Sequence, residues 1–81
     1  MHFSENKLKQ VFSDVFDTDI HTVNETTSMD TVEAWDSHKH LILVLALEEA
    51  FNVTLTEEET LEILNYILTK IVLEEHGVHF H

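Results

Sequence analysis

Trp35-Asp36-Ser37-His38-Lys39-His40-Leu41-Ile42-Leu43-Val44-Leu45-Ala46-Leu47-Glu48-Glu49-Ala50-Phe51 reads as a long apolar helix opened by an acidic residue and a serine. Asp36 suits the N-cap, because its carboxylate can accept a hydrogen bond from a first-turn amide that has no partner inside the helix. Ser37 then takes the first helical position, beside the free amides and the positive end of the helix dipole. An anion carried on that serine meets donors and favourable charge. The stretch therefore predicts a helix from Ser37 to about Phe51 with a candidate attachment point at its first residue.

Towards the N-terminus, Leu8, Val11, Phe12, Val15 and Phe16 recur at helical spacing and form one apolar stripe. They predict a helix from about Glu5 to Phe16, with Ser4 as N-cap and Phe3 stapled onto Leu8. The intervening Asp17 to Trp35 is rich in Asp, Thr, Asn and Ser, punctuated by Ile20, Val23, Met29, Val32 and Trp35. It is longer than most ordered connections. The spaced apolar residues predict a loop docked across the helix ends, with Trp35 anchoring the chain just before Ser37.

Towards the C-terminus, Val53 and Leu55 can tuck inward, and Thr56 with Glu59 forms a capping box, with Glu57 and Glu58 complementing the dipole of a third helix. Leu61, Leu64, Leu68, Ile71 and Val72 fit one continuous stripe to Glu75, with Gly77 as terminator. Ile63, Tyr66, Ile67 and Leu73 widen the apolar surface. There is no proline, and Asn65 is the one residue that suggests a break. The adopted reading is two helices with a bend near Asn65; a straight helix would expose more apolar surface and favour a dimer. Residues 76–81 are read as a frayed tail of a single all-α domain spanning 1–81.

Composition narrows the class of partner. Eighty-one residues with 43% hydrophobic content support one modest core. Sixteen acids against four lysines, a net charge of −12, argue against nucleic acid or an anionic membrane and for proteins with basic patches. The absence of cysteine leaves neither disulfides nor a thiolate metal site. No charged-then-apolar leader is visible, and the longest apolar run, Leu41 to Leu47, is far too short to span a bilayer. A cytoplasmic protein is expected.

Asp36-Ser37, followed by Leu47-Glu48-Glu49-Ala50-Phe51 and then Val53-Thr54-Leu55-Thr56-Glu57-Glu58-Glu59, resembles the acyl carrier proteins over nearly the whole chain. The resemblance implies a bundle of three main helices plus a short third helix, with a long loop between helices one and two. It implies that a phosphopantetheinyl transferase moves 4′-phosphopantetheine from coenzyme A onto Ser37, with Asp36 helping to position the serine. Acyl groups would then ride as thioesters on the arm's thiol, and the carrier itself would not be an enzyme. Partners would be acyl-activating and acyl-transferring enzymes with basic patches, docking on helix two at His38, Leu41, Ile42, Leu45 and Glu49. A monomer is expected, with a dimer as the alternative. His38 stands where many carriers have leucine, and Ile42 where many have an acid. Trp35, in place of a small residue, is similar to stand-alone carriers of specialised pathways.

On helix two, Ser37, His40, Leu41, Val44, Leu47, Glu48 and Phe51 are expected roughly along one side, which supplies most of the core beyond its opening turn. His38, Ile42, Leu45 and Glu49 are expected on a neighbouring, outward side. The competing class is an acidic helical interaction module never modified at Ser37, or a degenerate carrier in which His38 blocks the transferase. Asp36-Ser37-His38 has the residue types of a hydrolase triad, but consecutive helical side chains fan apart. His40 could approach the Ser37 hydroxyl, yet no glycine-rich elbow accompanies it. The seven histidines are scattered; His76, His79 and His81 could hold a transition metal only loosely, and no metal site is expected. Protonating all seven would move the charge from −12 to −5 and relieve self-repulsion in mild acid.

Overall fold

The structure is a computed structural model that describes residues 2–80. Its elements are β1 (His2–Phe3), α1 (Glu5–Phe16), a 3₁₀ turn (Ile20–Thr22), α2 (Ser37–Phe51), α3 (Glu57–Glu62), α4 (Tyr66–Glu75) and β2 (His79–Phe80). The fold is thus mostly helical. Its radius of gyration is 11.4 Å, against about 12 Å expected for a compact chain of this length.

The apolar stripe of α1 is buried as its spacing predicts: Leu8, Val11, Phe12, Val15 and Phe16 all enter the core, joined by Leu43, Val44, Leu47 and Phe51 from α2. Both long helices end on a left-handed residue, Asp17 (φ 50°) and Asn52 (φ 54°). Aspartate and asparagine tolerate this conformation better than most side chains. Glu48 locks the second of these turns, since its carboxylate accepts the Leu55 amide at 2.8 Å. Ser4 occupies the N-cap of α1 without a side-chain capping bond. Phe3, expected to staple onto Leu8, places its ring edge-on to Phe51 at 5.0 Å.

The bend between α3 and α4 falls at Asn65, and its cause lies in the α1–α2 loop. Thr27 offers its carbonyl to the Tyr66 amide at 2.8 Å, and Met29 donates to the Leu64 carbonyl at 3.2 Å. These bonds use backbone groups that a continuous helix would need for itself. The Asn65 side chain then caps α4 by accepting the Leu68 amide at 2.8 Å. The bend also shifts the helical phase and corrects the expected stripe. Ile63, Tyr66, Val72 and Leu73 are buried, whereas Leu61, Leu64 and Ile71 are exposed. The long loop is docked through Val23 and Trp35, both buried, while Met29 stays exposed.

The tail departs from expectation most clearly. Gly77 (φ 87°) turns the chain after α4, and the Val78 amide returns to the Leu73 carbonyl at 3.2 Å. Val78 is fully buried. His79 and Phe80 then pair in parallel with His2 and Phe3, and Phe80 meets Phe51 edge-on at 5.7 Å. The segment is ordered because two apolar residues, alternating with a histidine, reach the core along an extended strand. His81 lies outside the described residues.

Polar pairs fasten the ends of the helices. Lys70 pairs with Glu5, tying α4 to α1, and this bond holds the Glu5 carboxyl below its ordinary range while raising the Lys70 ammonium. Tyr66 is buried near Glu5, and burial first, then the carboxylate's charge, pushes its phenol well above the usual value. His76 meets Glu59 at 2.6 Å. The Thr56 amide, and then His76, hold that carboxyl low.

Candidate functional site

The start of α2 is fixed on both sides of Ser37. Asp36 is extended (φ −103°, ψ −174°) and its carboxylate accepts the Lys39 amide at 2.9 Å. Just before it, Trp35 is 4% exposed, edge-on to Phe12 at 5.7 Å and tilted against Phe16 at 5.0 Å. The chain therefore emerges from a buried indole and enters the helix within two residues. Ser37 itself is exposed. Among the described residues, the amides of Ser37 and His38 have no hydrogen-bond acceptor. An anion on the serine would find these two donors at the positive end of a helix of 15 residues.

The side chains that follow divide by direction. Lys39 leans away and donates to the Val15 carbonyl at 3.1 Å, bridging α2 to α1. His40 turns inward. Its Nδ1 lies 3.1 Å from the Trp35 indole nitrogen and its Nε2 lies 2.8 Å from the Thr60 carbonyl. Neither His38 nor His40 is hydrogen-bonded to the Ser37 hydroxyl, and Asp36 is occupied by its cap. The triad residue types thus form no relay.

His38, Leu41, Ile42, Leu45 and Glu49 all lie on the exposed side of α2. Leu41 is 60% exposed and Leu45 57%; Leu41 thus stands with the outward residues, as a place on the docking surface requires, and not with the side that supplies the core. Leu43 takes the core position instead, fully buried. The reason is that α2 is apolar nearly all round, so composition leaves its rotation undetermined; packing against α1 sets it. The His40–Thr60 bond seats α3 beside this helix, and α3 carries the exposed Leu61 with Glu57, Glu58 and Glu62. The result is an apolar outer surface on α2 with acids on the neighbouring helix. A cleft of about 420 Å³ opens elsewhere, under the α1–α2 loop, floored by Phe12, Phe16, Val23 and Val32; none of the expected site residues lines it.

No family model matches the chain, and no curated protein matches it. His40 and Glu48 are the two whose roles the sequence does not disclose directly. His40 sits three, four and seven positions from Leu43, Val44 and Leu47, a spacing that marks the buried side of the helix. Glu48 carries no comparable signal. No helix is long and apolar enough to cross a membrane among the described residues.

Proposed function

We propose that this protein is a stand-alone acyl carrier, bearing 4′-phosphopantetheine on Ser37. The observation that carries the reading is the pairing of an exposed serine at the first position of α2 with the Asp36 cap and the two unused amides beside it. The succession of long helix, docked loop, long helix, short capped helix, bend and last helix supports this reading. In the loading step, the Ser37 oxygen attacks the β-phosphorus of coenzyme A. A phosphodiester forms, 3′,5′-ADP leaves, and the serine proton passes to the transferase. Asp36 holds the turn in place, and the amides of Ser37 and His38 offset the phosphodiester charge. When bound, the arm supplies the thiol on which acyl groups are carried, in a chain that has no cysteine. The protein contributes tethering, which raises the local concentration of the cargo for a docked enzyme. Leu41, Ile42 and Leu45, with His38 and Glu49, present the docking surface, and acids on α3 attract basic partners.

The test is intact mass after incubation with coenzyme A, magnesium and a promiscuous phosphopantetheinyl transferase. One added phosphopantetheine is expected on the wild type and none on Ser37→Ala. No gain on a folded wild type refutes the loaded carrier. His38→Leu then separates the remaining readings: restored loading marks a degenerate carrier, and continued failure an acidic interaction module.

A further inference from the structure

We propose that His40 is the positioning residue of the Ser37 turn, and that it acts only as the neutral imidazole. The chemistry of its two partners assigns the tautomer. An indole N–H can only donate, so Nδ1, 3.1 Å from the Trp35 nitrogen, must present its lone pair. A backbone carbonyl can only accept, so Nε2, 2.8 Å from the Thr60 oxygen, must carry the proton. One species alone satisfies both contacts. The two rings are also nearly parallel, with centroids 6.2 Å apart and an interplanar angle of 19°. His40 thereby joins the loop that delivers Ser37, the first turn of α2 and the body of α3.

Protonation would break this arrangement on one side only. The cation gains a hydrogen on Nδ1, which then faces the indole N–H, so two donors oppose each other, while the bond to Thr60 survives. The indole is buried and has little access to water as a substitute acceptor. The disturbance therefore falls on Trp35, two residues before Ser37, and on the Asp36 cap between them. Ionisable groups on the elements around the ring include Asp36 at the N-cap of α2, His38, Lys39, Glu48 and Glu49 on α2, Glu33 on the loop, Asp17 just after α1, and Glu57, Glu58, Glu59 and Glu62 on α3. Asp36 is committed to the Lys39 amide, Lys39 to the Val15 carbonyl, and Glu59 to Thr56 and His76. This contact works against the general gain from discharging the chain: mild acid lowers self-repulsion overall but loosens the start of α2.

The chain has a single tryptophan, so its indole N–H proton reports this contact alone by NMR. Indole hydrogen exchange is measured from about pH 8 to about pH 5 on the wild type and on His40→Gln, which can still donate to Thr60 but does not titrate. The wild-type to variant ratio of exchange rates is expected to rise roughly tenfold as the imidazole charges. A flat ratio overturns the proposal. Should the glutamine variant not fold, His40→Asn takes its place, and the wild-type indole chemical shift followed against the imidazole titration decides the same question. The consequence for loading rests on Ser37 being the carrier serine, and is read as the ratio of wild-type to variant loading rates across the same pH range. That ratio is expected to fall in acid. If the indole responds but the loading ratio stays flat, the positioning role is refuted. If the wild type is not loaded at any pH, the carrier reading fails, while the indole measurement still decides the state of His40.

Discussion

Phe80→Ala should destabilise the whole domain, because β2 is part of the packing. The Phe80 ring is half-buried against the core, edge-on to Phe51 at 5.7 Å, with the Lys70 ammonium 5.9 Å from its centroid. Full burial of a phenylalanine is worth up to about 3 kcal/mol, so half-burial gives about 1.5 kcal/mol. The edge-on pair adds about 0.5–1.5 kcal/mol, and the exposed cation–π contact about 0.5 kcal/mol. Allowing for relaxation of the tail in the variant, a loss of about 2–3 kcal/mol is expected. A domain of this size has about 4–12 kcal/mol in all, so the variant remains folded at room temperature. At about 4–8 °C per kcal/mol, the melting temperature falls by roughly 10–20 °C. Urea unfolding should show a lower midpoint at unchanged slope. Combining Phe80→Ala with Phe51→Leu should reveal a coupling of about 0.5–1.5 kcal/mol. A melting temperature within about 2 °C of wild type would refute the packing argument, since only an unattached tail tolerates the loss of that ring.

Asp36→Ala removes the acceptor of the Lys39 amide; a loss of about 1 kcal/mol is expected by urea melt, with Asp36→Ser much closer to wild type. A serine variant as unstable as the alanine one would show that the cap is not what stabilises this end. Lys70→Met should give a pH-dependent deficit in melting temperature. Glu5 is depressed by its bond to Lys70, so its share of the stabilisation is present above the unfolded value of 4.5 and is lost as pH falls through the lowered folded value. Lys70 is raised, so its share is present below 10.5 and disappears as pH rises through the folded value. The deficit should be widest between those limits and narrow on both sides, a small part surviving in acid through the Lys70 contact with Phe80; a constant deficit across the range would exclude the ion pair as its source.

How much of the structure is legible in the sequence follows from how local each cause is. α1 and α2 can be bounded from the sequence because an apolar run at helical spacing and a residue suited to the N-cap position lie within a few positions of each other. Thr56 and Glu59 announce α3 for the same reason, and both halves of their capping box are formed. Asn65 is readable as a break, but the bonds that enforce it come from Thr27 and Met29, far away in sequence. Rotation is less accessible. On a helix apolar nearly all round, nothing local chooses Leu43 over Leu41 for the core, and across the bend the stripe through Leu64 and Ile71 loses its phase. The tail escapes a sequence reading because the alternation of Val78, His79 and Phe80 is too short to distinguish from chance. At the candidate site, the Asp36 cap on which the Ser37 reading rests is visible in the sequence. The contact of His40 with Trp35 and Thr60 is not, since it depends on α3 being brought alongside α2.

The two-residue pairing of β1 with β2 also gives the molecule a mechanical axis. His2 lies opposite His79 and Phe3 opposite Phe80, with both strands running the same way. Tension applied between the two ends of the chain draws these strands past each other along their length, so their hydrogen bonds share the load in shear and are not peeled apart one by one. The rings of Phe3 and Phe80, both edge-on to Phe51, must slide with them. Force entering from either side is thus met first at this seam, and α1 and α4 feel it only after the seam has slipped.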